Sequence, residues 1–129
     1  AAFTREKQKL HLLRANSHDT DTLDEVASLF ESKPIDFFFL DGDHFYDGVK
    51  NDFLSYGPLV RPGGLIVLHD ILPAPHDAEI EVHLLWKQLK QLTQCEEIIE
   101  CDAEGRHLGL GVIRVPEGGL PASLASLLK

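Results

Sequence analysis

Residues 35–70, IDFFFLDGDHFYDGVKNDFLSYGPLVRPGGLIVLHD, read as strand, acidic turn, helix, Pro-Gly-Gly turn, strand and acidic end. Ile35 to Leu40 and Leu65 to Leu68 carry almost no polar interruption, the pattern of strands covered on both faces in a parallel sheet. The helix between them is expected to start near Tyr46, to bury Val49 and Phe53, and to end around Gly57-Pro58. Gly48 weakens its first turn. Parallel strands joined by a crossover helix bring their C-terminal tips to one edge of the sheet, where ligands bind in open α/β folds. Asp41 and Asp70 are therefore placed to face one site.

Upstream, Lys9 to Leu13 is a short strand candidate running into the polar turn Ala15-Asn16-Ser17-His18-Asp19. Thr22 and Glu25 form a candidate capping box, and Leu23, Val26, Ala27 and Phe30 mark one helical face until Ser32-Lys33-Pro34 stops it. Downstream, Pro73 and Pro75 break the path. A helix is then predicted over Ala78 to Leu92 from the stripe Val82, Leu85, Leu89, Leu92. Cys95 to Cys101 and His107 to Val115 read as a closing antiparallel hairpin around a polar, glycine-containing turn. Pro116 to Pro121 is a loop, and Ala122 to Lys129 reads as a short helix or a frayed tail. The order is β-α-β-α-β-α-β-β, an α/β three-layer arrangement.

A chain of 129 residues with 43% apolar content can bury one core but hardly two. Twelve basic against 21 acidic residues give a net charge of −9, and no Lys/Arg cluster offers a phosphate stripe. A small ligand is favoured over nucleic acid or an anionic membrane. Apolar runs are far shorter than the roughly 20 residues that span a bilayer, and no signal peptide is visible. Cys95 and Cys101, in one strand candidate, would stand about 20 Å apart, beyond the roughly 7 Å a disulfide tolerates. They read as reduced thiols of a cytoplasmic protein. The sequence contains no methionine, even at position 1, so it is expected to lack upstream sequence.

From Lys9 to Val115 the chain resembles the C-terminal two-thirds of a class I S-adenosylmethionine-dependent methyltransferase. The resemblance rests on the strand ending in Asp41-Gly42-Asp43-His44, the turn Arg61-Pro62-Gly63-Gly64, the strand ending in His69-Asp70, and the terminal hairpin. It is strongest to the branch that includes metal-dependent O-methyltransferases of the catechol and caffeoyl-CoA type and cephalosporin-hydroxylase-like relatives. It implies a Rossmann-like three-layer αβα sandwich with a mostly parallel sheet. Residues 1–115 would be the C-terminal part of the domain and 116–129 a tail. The family's glycine-rich first turn and the acid that holds the ribose would both precede Ala1.

The resemblance further implies that Ser17 and His18 border the adenine of S-adenosylmethionine, and that Asp41-Gly42 lies near the adenine and methionine moiety. Asp41 and Asp70 are similar to carboxylates that hold Mg²⁺, which would polarise the hydroxyl of a small-molecule methyl acceptor. Catechol-type enzymes have Asn after the second Asp, whereas this chain has Ile71, which cannot ligate. His69 stands where hydroxylase-like relatives carry an acidic ligand and is the candidate third donor, an imidazole that suits Mn²⁺, Fe²⁺ or Zn²⁺ better than Mg²⁺. A metal-free route also stays open, with His44 or His69 as general base.

Duller readings stand beside these. Asp41 and Asp70 could cap their turns, Asp43 and Asp47 suit the positive start of a helix, and Ser17-His18 could be an ordinary Asx turn. Tyr56 and Trp86 read as packing residues. Two other functions fit the acidic edge: a metal-dependent hydrolase or hydroxylase, and a fragment without catalysis. With its upstream strands missing, Ile35 to Leu40 would either pair with Lys9 to Leu13 or drive homodimerisation through its edge.

Overall fold

The computed structural model describes residues 4–128. Its elements are α1 (Thr20–Leu29), β1 (Ile35–Leu40), α2 (Tyr46–Tyr56), a 3₁₀ turn (Gly57–Leu59), β2 (Val60–His69), α3 (Val82–Leu92), β3 (Cys95–Cys101), β4 (His107–Arg114) and α4 (Leu124–Leu127). The four strands form one sheet in the order β1-β2-β4-β3. β1 and β2 are parallel, with Leu40 opposite Leu68. β4 is antiparallel to both β2 and β3, as the hairpin pattern required.

Helices α2 and α3 share one core with one face of the sheet. Val49 and Phe53 of α2 and Val82, Leu85, Trp86 and Leu89 of α3 are buried in the same cluster as Ile66, Leu68 and Ile113. Each such aliphatic or aromatic side chain contributes about 1.5–3 kcal/mol on burial. Trp86 lies flat enough on β4 that a Cβ at Gly111 would stand 2.6 Å from its ring. Its indole N–H donates to Glu97 Oε1 at 2.8 Å, which satisfies the one polar atom that the ring carries inward. The tail is docked rather than frayed, because Leu124 and Leu128 are both buried in the core cluster.

The other face of the sheet is open. Phe37, Phe39, Leu65, Val67, Ile98, Leu110 and Val112 line a shallow concavity there, with Phe37 54% and Phe39 45% exposed. β1 is thus an edge strand covered on one face, not the central, doubly covered strand its apolar run suggested. The described residues supply two of the three layers of the αβα class.

The expected strand at Lys9 to Leu13 is absent: these residues pair with no strand, and Leu10, Leu12 and Leu13 are exposed. A strand is held by its neighbours, and the outer edge of β1 has not recruited this segment. The predicted order therefore loses its first strand. α1 starts at Thr20 with Asp19 as N-cap and no side-chain capping bond, so the Thr22/Glu25 box does not form, and none of its residues is buried. α3 begins at Val82 rather than Ala78. The Arg61-Pro62-Gly63-Gly64 segment is an irregularity inside a longer β2 rather than a turn before it. Among the described residues no helix is long and apolar enough to cross a membrane.

Candidate functional site

The parallel pairing of β1 and β2 delivers Asp41, just past one strand, and His69 and Asp70, at the end of the other, to the same edge. Asp70 adopts φ 61°, a left-handed backbone that Asp tolerates better than most residues and that turns its carboxylate back toward the β1 tip. There Asp70 Oδ2 lies 3.2 Å from His44 Nε2 and 2.9 Å from His69 Nδ1. Asp41 Oδ1 lies 3.5 Å from each of the same two nitrogens. One ligand atom each from Asp41, His44 and Asp70 lies within 4.8 Å of the others, a spacing that could hold a metal ion.

The loop carrying His44 is fixed from several sides. Asp43 Oδ1 accepts the Phe45 N–H at 2.9 Å, an Asx turn that leads into α2. The Asp43 side chain folds over Gly48, where any Cβ would collide with it, so the weak helix former in the first turn has a packing reason. The His44 carbonyl accepts the Glu81 N–H at 2.7 Å, and the Glu81 carboxylate accepts the Tyr46 N–H at 3.1 Å. Asp43 thus serves the turn that leads into α2, and Asp47 lies in the first turn of that helix, at its positive end.

Beside this edge runs a cleft of about 500 Å³ along the free side of β1, lined by Ser17, Phe38, Asp41, Gly42, Asp52 and Tyr56 among others. Ser17, Asp41 and Gly42, expected to meet the cofactor, share it. His18 stands alongside, its Nε2 3.5 Å from Asp52 Oδ1 and 3.7 Å from Asp43 Oδ2. Asp52 escaped the sequence reading. It is 3% exposed, and burial pushes its carboxyl above the ordinary carboxylate range, partly offset by a Ser17 side-chain hydrogen bond and the His18 imidazole. Its signal was a carboxylate inside the apolar stripe Val49, Asp52, Phe53, Tyr56. Tyr56 is also more than packing: its hydroxyl donates to the Ser17 carbonyl at 2.8 Å.

The donor set at the edge suits a divalent cation. Two carboxylates match hard ions such as Mg²⁺, and an imidazole extends the range to Mn²⁺, Fe²⁺ or Zn²⁺. His69 Nδ1 is buried and makes no hydrogen bond, although Asp70 lies at ion-pair distance. Both carboxylates thus face His69 as well as His44, although the common 4.8 Å spacing includes His44 alone of the two rings.

Residues 2–71 match a family described as a methyltransferase domain. The chain is 33% identical over 69 residues to demethylmacrocin O-methyltransferase of Streptomyces fradiae, covering 54% of this chain and 17% of that protein. It is 32% identical over 66 residues to mycinamicin VI 2''-O-methyltransferase of Micromonospora griseorubida, covering 51% and 16%. Its fold is similar to that of the MycE methyltransferase in complex with Mg, SAH and mycinamycin VI, with a TM-score of 0.51 and 21% identity over 85% of this chain and 33% of that one. An O-methyltransferase from Bacillus cereus in complex with SAH superposes with a TM-score of 0.50 and 16% identity, covering 73% and 46%. The chain spans about a sixth of the length of these curated relatives.

Proposed function

Since this chain belongs to the methyltransferase-domain family, we propose that it carries part of an S-adenosylmethionine-dependent O-methyltransferase site acting on the hydroxyl of a small molecule. The observation that carries this reading is the convergence of Asp41, His44 and Asp70 at the tips of two neighbouring parallel strands, beside the cleft that holds Ser17, Asp41 and Gly42. In this reading Ser17 and His18 border the adenine, and Asp41-Gly42 runs past the adenine and methionine moiety. S-adenosylmethionine supplies an electrophilic methyl group, and a divalent cation at the edge supplies Lewis acidity toward the acceptor hydroxyl.

The chain's own residues then have separate tasks. Asp41 and Asp70 hold the cation, with an imidazole as third donor. His44 is favoured for that place by the common 4.8 Å spacing, and His69, 2.9 Å from Asp70, is the competing donor. The ring that does not ligate takes the acceptor's proton, a task suited to an imidazole near neutral pH. The acidic surface, −9 overall, disfavours nucleic acid as partner.

Residues 1–115 are assigned to the C-terminal part of the methyltransferase domain and 116–129 to its tail. The free edge of β1 and the exposed Phe37 and Phe39 beside it support association of two copies through that edge. The free thiols of Cys95 and Cys101 support a reducing, cytoplasmic setting.

The test is transfer of a labelled methyl group from S-adenosylmethionine to small hydroxylated acceptors, with Mn²⁺ or Mg²⁺ and with chelator. Metal-dependent labelling supports the reading; metal-dependent turnover of a substrate without any labelled product contradicts it.

A further inference from the structure

We infer that Asp52 is a positioning residue that holds the cofactor-facing turn Ser17-His18 against α2; the inference rests on the S-adenosylmethionine reading above. Asp52 is 3% exposed, in the middle of an otherwise apolar helical stripe. An aliphatic residue there would fill the space without the cost of burying a carboxylate. The reason for an acid at this position therefore lies in what it holds. Its carboxyl and Ser17 line the same cleft, and the Ser17 hydroxyl helps offset the upward push of burial on that carboxyl. Oδ1 stands 3.5 Å from His18 Nε2, and Oδ2 lies under Gly42, where an added Cβ would stand 3.6 Å away.

One helical turn further along α2, the Tyr56 hydroxyl donates to the Ser17 carbonyl at 2.8 Å. Two side chains of one helix thus grip one turn by its side chains and its backbone. Oδ1 of Asp52 is fully buried and makes no hydrogen bond, so it has unspent acceptor capacity beside the His18 ring. Its influence passes through Ser17 and His18. This separates Asp52 from Asp41, which stands 45% exposed at the edge itself.

The experiment compares amide hydrogen exchange of the turn at residues 15–19 in the wild-type chain, Asp52→Ala, Asp52→Asn and Tyr56→Phe, together with the affinities of each for S-adenosylhomocysteine and Mn²⁺. Asp52→Ala is expected to accelerate exchange in the turn and to weaken S-adenosylhomocysteine about tenfold or more, with Mn²⁺ affinity unchanged. Asp52→Asn, which keeps an acceptor oxygen beside Ser17 and His18, should recover part of both effects. Unchanged exchange in the turn of Asp52→Ala overturns the inference, and so does a parallel loss of Mn²⁺ affinity, which marks global loosening. Faster exchange with unchanged S-adenosylhomocysteine affinity also overturns it, while leaving the methyltransferase reading in place. Faster exchange in a series whose wild type binds no S-adenosylhomocysteine removes that reading, and the positioning role falls with it.

Discussion

His44 Nε2 stands 3.2 Å from Asp70 Oδ2, so the loop leaving β1 and the residue ending β2 meet at one carboxylate. This contact exists because β1 and β2 are parallel neighbours and because Asp70 takes a left-handed backbone at φ 61°.

The carboxylates of that meeting point are predicted to bind a divalent cation. Asp41→Asn and Asp70→Asn should each weaken Mn²⁺ by at least ~10-fold, read by electron paramagnetic resonance of free Mn²⁺. Asp70→Ala should also lose stability against Asp70→Gly, by roughly 1 kcal/mol, since only glycine takes the left-handed conformation freely. Equal denaturant midpoints for those two variants would show that the backbone at this position carries no strain.

The two imidazoles are predicted to differ. His44→Ala should lose more Mn²⁺ affinity than His69→Ala, because His44 shares the 4.8 Å spacing with both carboxylates. His69→Ala should instead lower the rate of methyl transfer by about 10²-fold or more with near-normal Mn²⁺ affinity. The reverse pattern would exchange the roles of the two rings.

The contact between α3 and the hairpin admits no extra methyl group. Gly111→Ala would set a Cβ 2.6 Å from the Trp86 ring and is expected to cost about 1–3 kcal/mol in chemical denaturation. Adding Trp86→Phe, which shortens the ring, should recover part of that loss; no recovery would mean that the strain lies elsewhere.

Two carboxyl groups give opposite pH dependences. Burial holds Asp52 above its ordinary value, so the folded chain keeps a proton that the unfolded chain has released. Its contribution to stability is therefore greatest below about pH 4 and declines as pH rises through the raised value. Glu97 is held low by hydrogen bonds from Lys90 and then Trp86, so its contribution is present above its ordinary value and is lost as pH falls through the lowered one. Asp52→Asn should remove the decline toward neutral pH and Glu97→Gln should flatten the acid limb, both read from unfolding free energy against pH.

The β1-α2-β2 unit was legible because its signals are local: two apolar runs, a helix with Val49 and Phe53 on one side, and an acid at each strand tip. Lys9 to Leu13 misled because a short apolar-leaning stretch becomes a strand only when a partner pairs with it. Phe37 and Phe39 read as core because composition records what a strand can bury, not which layer of the fold is there to cover it. At the site, the sequence placed Asp41 and Asp70 together through topology alone. It did not see the grip of Asp52 and Tyr56 on Ser17, since that contact joins segments far apart in the chain.

The most direct measurement is nuclear magnetic resonance mapping of S-adenosylhomocysteine titrated into the 15N-labelled chain. Saturable shifts are expected at Ser17, His18, Asp41 and Gly42, with the α3 and hairpin amides unmoved. Titration to saturation-level ligand that leaves those four amides in place, or moves only the open sheet face around Phe37 and Phe39, would contradict the S-adenosylmethionine reading.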